Sequence, residues 1–247
     1  MYMQKISFKN LHPLVTLGIL LGASFLVAVL ISMATLFRLR SASDVVSVTG
    51  SAKMEVVADQ VKWTTQVTRS ARESNLKSGY DQIASDAVKA RAFLLAQGIT
   101  EEELTVTPVS MNEIYQQNQG VEKLYNLYQT FTVQSNDVEK LTRASNNLSS
   151  IINQNVIFSS PSLEYYYSKL PEARIQLLSQ AIDDAKARAT ELAKNSGSRV
   201  GSLKSATSGV VQVQSRNSTD VSDYGSYDTS QVEKQITVTV KATFSLK

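Results

Sequence analysis

The chain has 247 residues, of which 43% are hydrophobic and none is cysteine, and its formal net charge is +3 at pH 7. A chain of this length holds one or two globular units, and without cysteine it has no disulfide framework, thiolate nucleophile or cysteine-ligated metal. The surplus charge lies in the first 40 residues, which contain four bases and no acid; removing these four from the 25 bases leaves 21 bases against 22 acids in residues 41–247. A nucleic-acid-binding surface requires clustered positive charge, so we predict no nucleic-acid partner.

A long apolar segment near the N-terminus is the first predicted element. From Leu14 to Phe37 the chain carries no charge. A helix of this length, at about 1.5 Å per residue, spans a hydrocarbon core of about 30 Å, so we predict a retained transmembrane anchor at 14–37. A cleaved signal peptide is the alternative, because Ser41 and Ser43 are small residues of the kind found at cleavage sites. The apolar part of such peptides is, however, usually only about 7 to 15 residues long.

The regions that flank the anchor predict its orientation. Residues 1–13 form a short tail, residues 38–44 a linker, and residues 45–247 a large domain. Two lysines precede the anchor and two arginines follow it, so charge gives little bias. The short tail favours a cytoplasmic N-terminus, which would place the large domain outside the cytoplasm.

Small residues recur every four positions within the anchor. Gly18 and Gly22 form a GxxxG pattern, and a neighbouring stripe continues it at Ser24, Ala28 and Ser32. Such spacing lets two helix backbones approach closely in lipid, so these five residues are a candidate packing face. The alternative is that glycine and alanine are simply frequent in membrane-spanning helices.

Hydrophobic alternation predicts the first two strands of the domain. One strand carries Val46 and Val48 on one face and closes at Gly50, and the second begins at Val61. The apolar face of this second strand consists of Val61, Trp63, Thr65 and Val67.

A change to helical spacing follows the second strand. Residues Glu73 to Gln97 repeat at intervals of three and four and predict a helix that stops at Gly98. The predicted buried face comprises Leu76, Tyr80, Ile83, Ala84, Ala87, Ala90 and Leu94.

The remaining elements alternate between strands and helices. They are extended runs from Leu104 and Lys123 that form a hairpin, a helix at 138–154 capped by Asn136 or Asp137, a strand from Val156 interrupted at Pro161, a helix from Pro171 to Asn195, strands at 200–214 and 235–244, and a polar loop at 216–230. Because the strands alternate instead of running continuously apolar, we predict an α+β fold. Mixed or antiparallel sheets are packed by long helices and preceded by one transmembrane helix.

The predicted long helix carries alanine at every fourth position. Ala181, Ala185, Ala189 and Ala193 lie along one ridge. A ridge without bulk lets the helix approach its neighbour closely, which is either a sheet of its own chain or a matching surface of a second chain. Alanine is also the best helix former, so ordinary core packing accounts for the pattern as well.

Four stretches of the domain carry a family resemblance in chain order. They are VSVTGSAKMEVVADQVKWTTQV from Val46, QGITEEELTV from Gln97, LYNLYQTFTVQSNDVEKL from Leu124 and AIDDAKARATELAKNSGSRVGSL from Ala181. Together they resemble the SIMPL domain family over about residues 45 to 246. The chain departs from the family pattern at Ala52, where a second glycine is usual, and at Ala58, where proline usually precedes the aspartate.

The resemblance carries expectations about location and assembly. It implies a SIMPL fold, a membrane-attached or periplasmic location in bacteria, here the inner membrane, and ring-like homo-oligomers. It implies no catalytic residues and no cofactor, and it connects the chain loosely with stress defence and surface antigens.

Few groups in the sequence suit catalysis or metal binding. His12 is the only histidine, so neither a Ser-His-Asp triad nor a two-histidine metal site can form within one chain. The usual phosphate-binding and nucleophile-elbow motifs are absent. We therefore predict no enzyme activity, no metal and no cofactor.

Acidic and tyrosine clusters are the remaining candidates. We interpret Glu101 to Glu103 as a solvated turn and Asp183-Asp184 as part of an exposed helix face. Calcium binding by Asp220, Asp223 and Asp228 is an alternative whose spacing does not match an EF-hand. Consecutive strand residues face opposite sides, so Tyr165 to Tyr167 are expected to divide between core and rim.

Three functions are compatible with these features. The favoured one is a membrane-anchored scaffold that self-assembles outside the cytoplasm. The second is an envelope receptor with an apolar pocket between helix and sheet, and the third is an enzyme that uses carboxylates alone. The predicted partners are the membrane, through the N-terminal helix, and further copies of the chain, and the sequence does not identify other envelope partners.

Overall fold

A computed structural model describes most of the chain. Side chains in the first helix are described for residues 14–35. The described residues are 13–41, 44–116, 121–159, 162–218 and 222–247. Several predicted features lie outside them, namely His12, Pro161, Asp220, most of the tail at 1–13 and part of the linker at 38–44.

Helices and strands alternate along the described residues. Their bounds are α1 Pro13–Ser41, β1 Val45–Val57, β2 Gln60–Arg72, α2 Leu76–Ala96, β3 Leu104–Val106, β4 Ser110–Ile114, β5 Leu124–Ser135, α3 Val138–Asn146, α4 Ser149–Ile152, β6 Phe158–Ser159, β7 Glu164–Tyr166, α5 Leu170–Asn195, β8 Val200–Ser208, β9 Gln212–Ser215, β10 Ser226–Tyr227 and β11 Glu233–Leu246. The predicted α+β class with mixed and antiparallel sheets is confirmed.

The chain forms two compact units. Among the described residues, the anchor unit holds 13–41, 44–50, 183–207 and 241–247, and the main unit lies within 51–182 and 208–240. The elements β1, α5, β8 and β11 each contribute residues to both units.

A six-stranded antiparallel sheet organises the main unit. Its central pair is β2 with β5, which stay in register from Val61 opposite Ser135 to Arg72 opposite Leu124. The strands β3 and β4 pair with the outer edge of β5, and β6 and β7 pair with the outer edge of β2.

The predicted alternation of β2 is confirmed. Val61, Trp63, Thr65 and Val67 are all buried, whereas the residues between them are partly exposed. The Trp63 ring packs edge-on against Phe158, with ring centroids 6.3 Å apart. Fully burying a large apolar side chain contributes roughly 1.5–3 kcal/mol, so this row fixes which face of the sheet holds the core.

The buried face of α2 differs from the prediction. Ile83, Ala90 and Leu94 are buried as expected, but Tyr80 and Ala84 are exposed. The residues buried beside the expected ones are Gly79, Asp86 and Phe93. The predicted Leu76 and Ala87 are partly buried and pack against the core. The buried positions still recur at three and four, but the stripe passes through Gly79 instead of Tyr80 because Gly79 lies against the sheet. The predicted end of the helix is confirmed by Gly98, whose φ is +82°.

The helix predicted at 138–154 is instead two short helices. Asp137 caps α3, since its carboxylate accepts the backbone N–H of Lys140 at 2.8 Å. The break lies at Asn147 and Leu148. Asparagine side chains compete with the helical backbone for hydrogen bonds, which explains why the polar middle interrupts the helix.

Two strand boundaries predicted from the sequence are wrong in the five-stranded sheet. Its strand order is β1, β11, β9 and β10, and β10 runs parallel to β9. The strand β8 also pairs with β11. The strand β1 does not close at Gly50 but continues to Val57. The strand predicted at 200–214 is divided into β8 and β9, and between them the backbone N–H of Gly209 donates to the Thr239 carbonyl.

The final strand has the predicted alternation. Its buried hydrophobic residues are Ile236, Val238, Val240, Ala242 and Phe244, each 2% exposed or less. Within the main unit, Ile236 and Val238 pack with Ala173 and Leu177 of α5.

The alanine ridge of α5 is buried in the single chain. Ala181, Ala185 and Ala189 are fully buried and Ala193 is 3% exposed. The helix ends where predicted, before Gly197 with a φ of +74°. We propose that the ridge serves close packing within the chain, and the burial of all four alanines supports this proposal.

Replacing Gly79 with alanine tests the close approach of α2 to the sheet. A Cβ there would lie 2.5 Å from the Ala71 Cβ and 3.0 Å from the Leu127 Cδ1. Overpacking of this kind costs about 1–3 kcal/mol, while the better helix propensity of alanine offsets up to about 1 kcal/mol. We expect a net loss in the free energy of unfolding, measured by urea titration of the detergent-solubilised chain with circular dichroism.

The matched control is Ser85→Ala, at an exposed position of the same helix. It should change the free energy of unfolding by less than about 0.5 kcal/mol. A Gly79→Ala variant as stable as this control would contradict the packing.

Candidate functional site

One described helix is long and apolar enough to cross a membrane. The segment Leu14–Thr35 has 22 residues, a mean hydropathy of 2.7 and no buried residues in its most apolar stretch. A signal sequence near an N-terminus meets the same criterion, so this helix is either a single-pass membrane anchor or a signal sequence.

The small-residue face of α1 is uncovered in the single chain. A Cβ built at Gly18 or Gly22 would meet nothing within 4 Å. Ser24, Ala28 and Ser32 are exposed as well. The Ser24 hydroxyl donates to the Leu21 carbonyl at 2.9 Å, so it is satisfied within its own helix. Helix pairing through this face remains a prediction.

The three glutamates at 101–103 have separate partners. Glu101 forms two hydrogen bonds with Arg91, at 2.6 and 3.0 Å, and Glu102 is exposed. Glu103 instead contacts Lys140 at 2.8 Å, and both side chains are only 20% exposed. The predicted solvated turn is therefore wrong for Glu103, because its carboxylate joins a 3-10 turn to α3.

The Glu103 carboxylate is held ionised by fixed donors. It accepts hydrogen bonds from the Lys140 ammonium, the Ser135 hydroxyl and the backbone N–H of Thr100. Burial by itself would raise the pKa of Glu103, but these hydrogen bonds outweigh burial and lower the pKa to about 2.

A buried ion pair that the sequence reasoning missed joins α2 to β2. The Asp86 side chain is 3% exposed and accepts a hydrogen bond from the Arg69 guanidinium. Arg69 also donates to the Asn155 carbonyl at 2.7 Å. The spacing from Ile83 to Asp86 to Ala90 along the helix was a signal for this burial. The contacts are those of a structural pair, because they tie a helix, a strand and a turn together.

A second missed group is the buried Lys234 on β11. Lys234 is 1% exposed, its ammonium donates to the Asp228 carbonyl, and it lies 5.6 Å from the Tyr227 ring centroid. Burial lowers the pKa of Lys234. It has the same strand parity as Ile236 and Val238, which is the signal that could have identified it as inward-facing.

The remaining acidic candidates do not converge. Asp228 accepts hydrogen bonds from the backbone N–H groups of Ser215 and Ser230, so it anchors its own loop. Asp223 is exposed, and Asp184 pairs with Arg188 at 2.8 Å along the α5 surface. Among the described residues, no three histidine, cysteine or acidic side chains come close enough to hold a metal ion.

The three consecutive tyrosines divide as predicted between core and rim. Tyr165 is 9% exposed and packs in the main hydrophobic core, with its hydroxyl 3.2 Å from that of Thr142. Tyr166 and Tyr167 are partly exposed. The Tyr166 hydroxyl donates to Glu164 at 3.0 Å, and Glu164 also accepts from Lys62.

The family model for SIMPL, described as a protein of unknown function (DUF541), matches residues 46–244. This chain belongs to the SIMPL family. The expected SIMPL fold is thereby confirmed over nearly all of the domain that follows α1. A comparison of the chain with curated proteins gives no match.

Four carboxylates of this SIMPL domain have structural roles. The carboxylates of Asp86, Glu103, Glu164 and Asp228 each accept hydrogen bonds from donors of the same chain. None of these four is presented as a free base or nucleophile. The SIMPL family is not known as an enzyme family.

Glu103 should make the stability of the SIMPL domain pH-dependent. Its pKa in the folded chain, about 2, lies below the ordinary value of 4.5. The stabilisation is therefore fully present above pH 4.5 and is lost as pH falls from 4.5 towards 2. We expect Glu103→Gln to lower the free energy of unfolding at neutral pH by roughly 1–3 kcal/mol. Urea titrations across this pH range should show the difference from the unsubstituted chain shrinking as the solution becomes acidic.

Glu102→Gln is the matched control, because Glu102 lies exposed in the same turn. It should show no such pH-dependent difference. A Glu103→Gln variant whose deficit is constant over the whole pH range would contradict the assigned role of the carboxylate.

Proposed function

We propose that this SIMPL protein is anchored in the bacterial inner membrane by α1, with its domain on the periplasmic side. There it self-associates into a ring-like or scaffold oligomer. The observation that carries the proposal is the charge-free helix at 14–35, which has no buried residues in its most apolar stretch and precedes the family domain. Apolar surface of this size requires either lipid or protein to cover it.

The proposed orientation follows the periplasmic location expected from the family resemblance. The chain after the helix holds the whole family domain from residue 46, so this proposal places the domain on the periplasmic side.

The proposed self-association rests on uncovered surfaces in the anchor unit. The strand β8 pairs with β11, and its second edge has no strand partner among the described residues. Residues 202–208 are all exposed, and Lys204 is their one charged side chain. Natural proteins usually protect long edge strands with several charges, proline or bulges, so an edge with this composition suits pairing with another strand.

Membrane attachment gives the first test of the proposal. Membranes from cells that express the full chain should retain it after an alkaline wash, and protease added to spheroplasts should digest its domain. Intact mass should show that residues 1–40 are still attached. A shortened mass together with release into the periplasm would instead identify α1 as a cleaved signal sequence.

Charged substitutions within α1 provide the control for attachment. Leu20→Arg and Val27→Arg each cost about 2.5–3.5 kcal/mol of insertion free energy near the centre of a spanning helix. The doubly substituted chain should appear in the soluble fraction. If it pellets as well as the unsubstituted chain, retention does not depend on α1.

Particle mass gives the second test. Light scattering of the full chain in mild detergent should give a multiple of its 27.1 kDa mass. A particle that contains one chain at all accessible concentrations rejects self-association.

Two sets of substitutions separate the proposed contact surfaces. Ser205→Lys with Thr207→Lys adds like charge to the β8 edge, and Gly18→Leu with Gly22→Leu fills the small-residue face of α1. We expect the β8 pair to reduce the particle mass. The α1 pair should reduce it as well if the chains also pair through α1. Gln176→Lys, at an exposed position of α5, is the control and should leave the mass unchanged.

A further inference from the structure

Three strands meet at a polar cleft in the main unit. The strand β2 begins at Gln60 and β5 ends at Ser135, and the register places Val61 opposite Ser135 and Gln60 opposite Tyr166 of β7. The cleft at this end of the six-stranded sheet has a volume of about 490 Å³. This volume lies within the range of about 300–1,000 Å³ that is usual for small-molecule sites.

Three solvent-exposed side-chain amides line the cleft. They belong to Gln60, Gln134 and Asn136, and within the described residues no other group bonds to them. Each amide offers two donor hydrogens and one acceptor oxygen. Each amide can exchange its hydrogen bonds with water for hydrogen bonds to a ligand.

The ionisable groups that line the cleft are neutralised within the protein. Lys62 pairs with Glu164 at 3.0 Å, and Glu103 pairs with Lys140 at 2.8 Å. A charged ligand would find no unpaired opposite charge there and would lose part of its hydration on entry. The cleft therefore favours a ligand without net charge.

Tyr166 supplies an aromatic ring beside the amides. Its hydroxyl is already bonded to Glu164, and its ring packs against the Tyr227 ring with the centroids 5.8 Å apart. The part of this side chain that a ligand can reach is therefore the ring surface that lines the cleft. The carbon face of a sugar ring packs against aromatic rings, and each sugar hydroxyl both donates and accepts a hydrogen bond, as an amide does.

We propose that this cleft binds a neutral saccharide. Gln60, Gln134 and Asn136 bind its hydroxyl groups, and the Tyr166 ring packs against its carbon face. In the proposed periplasmic location, the cleft would give the anchored domain a contact with glycans of the envelope.

Ligand-observed NMR with the full chain tests the proposal. The chain is purified in lauryldimethylamine oxide, because maltoside and glucoside detergents themselves present sugars. The probes are tri-N-acetylchitotriose, cellotriose and maltotriose, with trigalacturonic acid and glutamate as charged comparisons. We expect at least one neutral trisaccharide to give saturation transfer with a Kd on the order of 1 mM or tighter, and the charged probes to bind more weakly.

Substitutions in the cleft assign the binding to it. Gln134→Ala with Asn136→Ala removes two exposed amides and should weaken binding roughly tenfold or more. Tyr166→Phe retains the ring and should retain binding, whereas Tyr166→Ala should lose it. Gln176→Ala, an exposed amide on α5, is the matched control and should bind as the unsubstituted chain does.

Three outcomes would overturn the proposal. They are no binding of any neutral trisaccharide, equal or tighter binding of a charged probe, and unchanged affinity in the chain that lacks both amides. Circular dichroism establishes that each variant is folded, and the two exposed amides keep the test decisive should Tyr166→Ala fail to fold. The binding measurement does not depend on subunit number, so its outcome is separate from that of the proposed self-association.

Discussion

The pairing of β2 with β5 is the constraint on which the main unit depends. Because strand side chains alternate, one register places Trp63 and Phe131 in the core and Lys62 and Thr132 on the opposite face. A slip of one residue would expose the whole buried row and bury the polar one, at a cost of several large apolar side chains. The same register sets where β5 ends relative to Gln60. The cleft at this end of the sheet is therefore a consequence of core packing.

Close approach of backbones is the second feature that shapes the domain. Gly79 brings α2 against Ala71 of the sheet, and the buried alanines of α5, such as Ala185, leave little side-chain bulk on their ridge. Each small side chain buries little apolar area. The stabilisation comes instead from the shorter distance between the helix and its neighbour, which brings more atoms into van der Waals contact. Such packing tolerates little added volume, because protein interiors are already as dense as organic crystals.

The sequence was informative where periodicity alone determines structure. Alternation identified the buried faces of β2 and β11, and the same parity that places Ile236 inward also indicates Lys234. The phase of α2 could not be obtained this way, because a glycine has no hydropathy signal and the contact at Gly79 depends on tertiary packing. The cleft was also not predictable. Gln134 and Tyr166 lie far apart in sequence, and only the pairing of their strands on either side of β2 brings them near each other.

The proposed membrane attachment suggests how this domain would act. Because Lys62 and Glu103 are paired within the chain, the cleft that they line is suited to recognition by shape and hydrogen bonding. Contacts of that type are individually weak. Chains held in one membrane meet at a much higher effective concentration than chains free in solution, in the way that linked binding modules do. Under the proposed function, a weak β8 edge can then be enough for assembly of the anchored chain, while the same edge on a released domain would leave it monomeric. In the proposed scaffold the anchor is thus part of the assembly mechanism as well as the determinant of location.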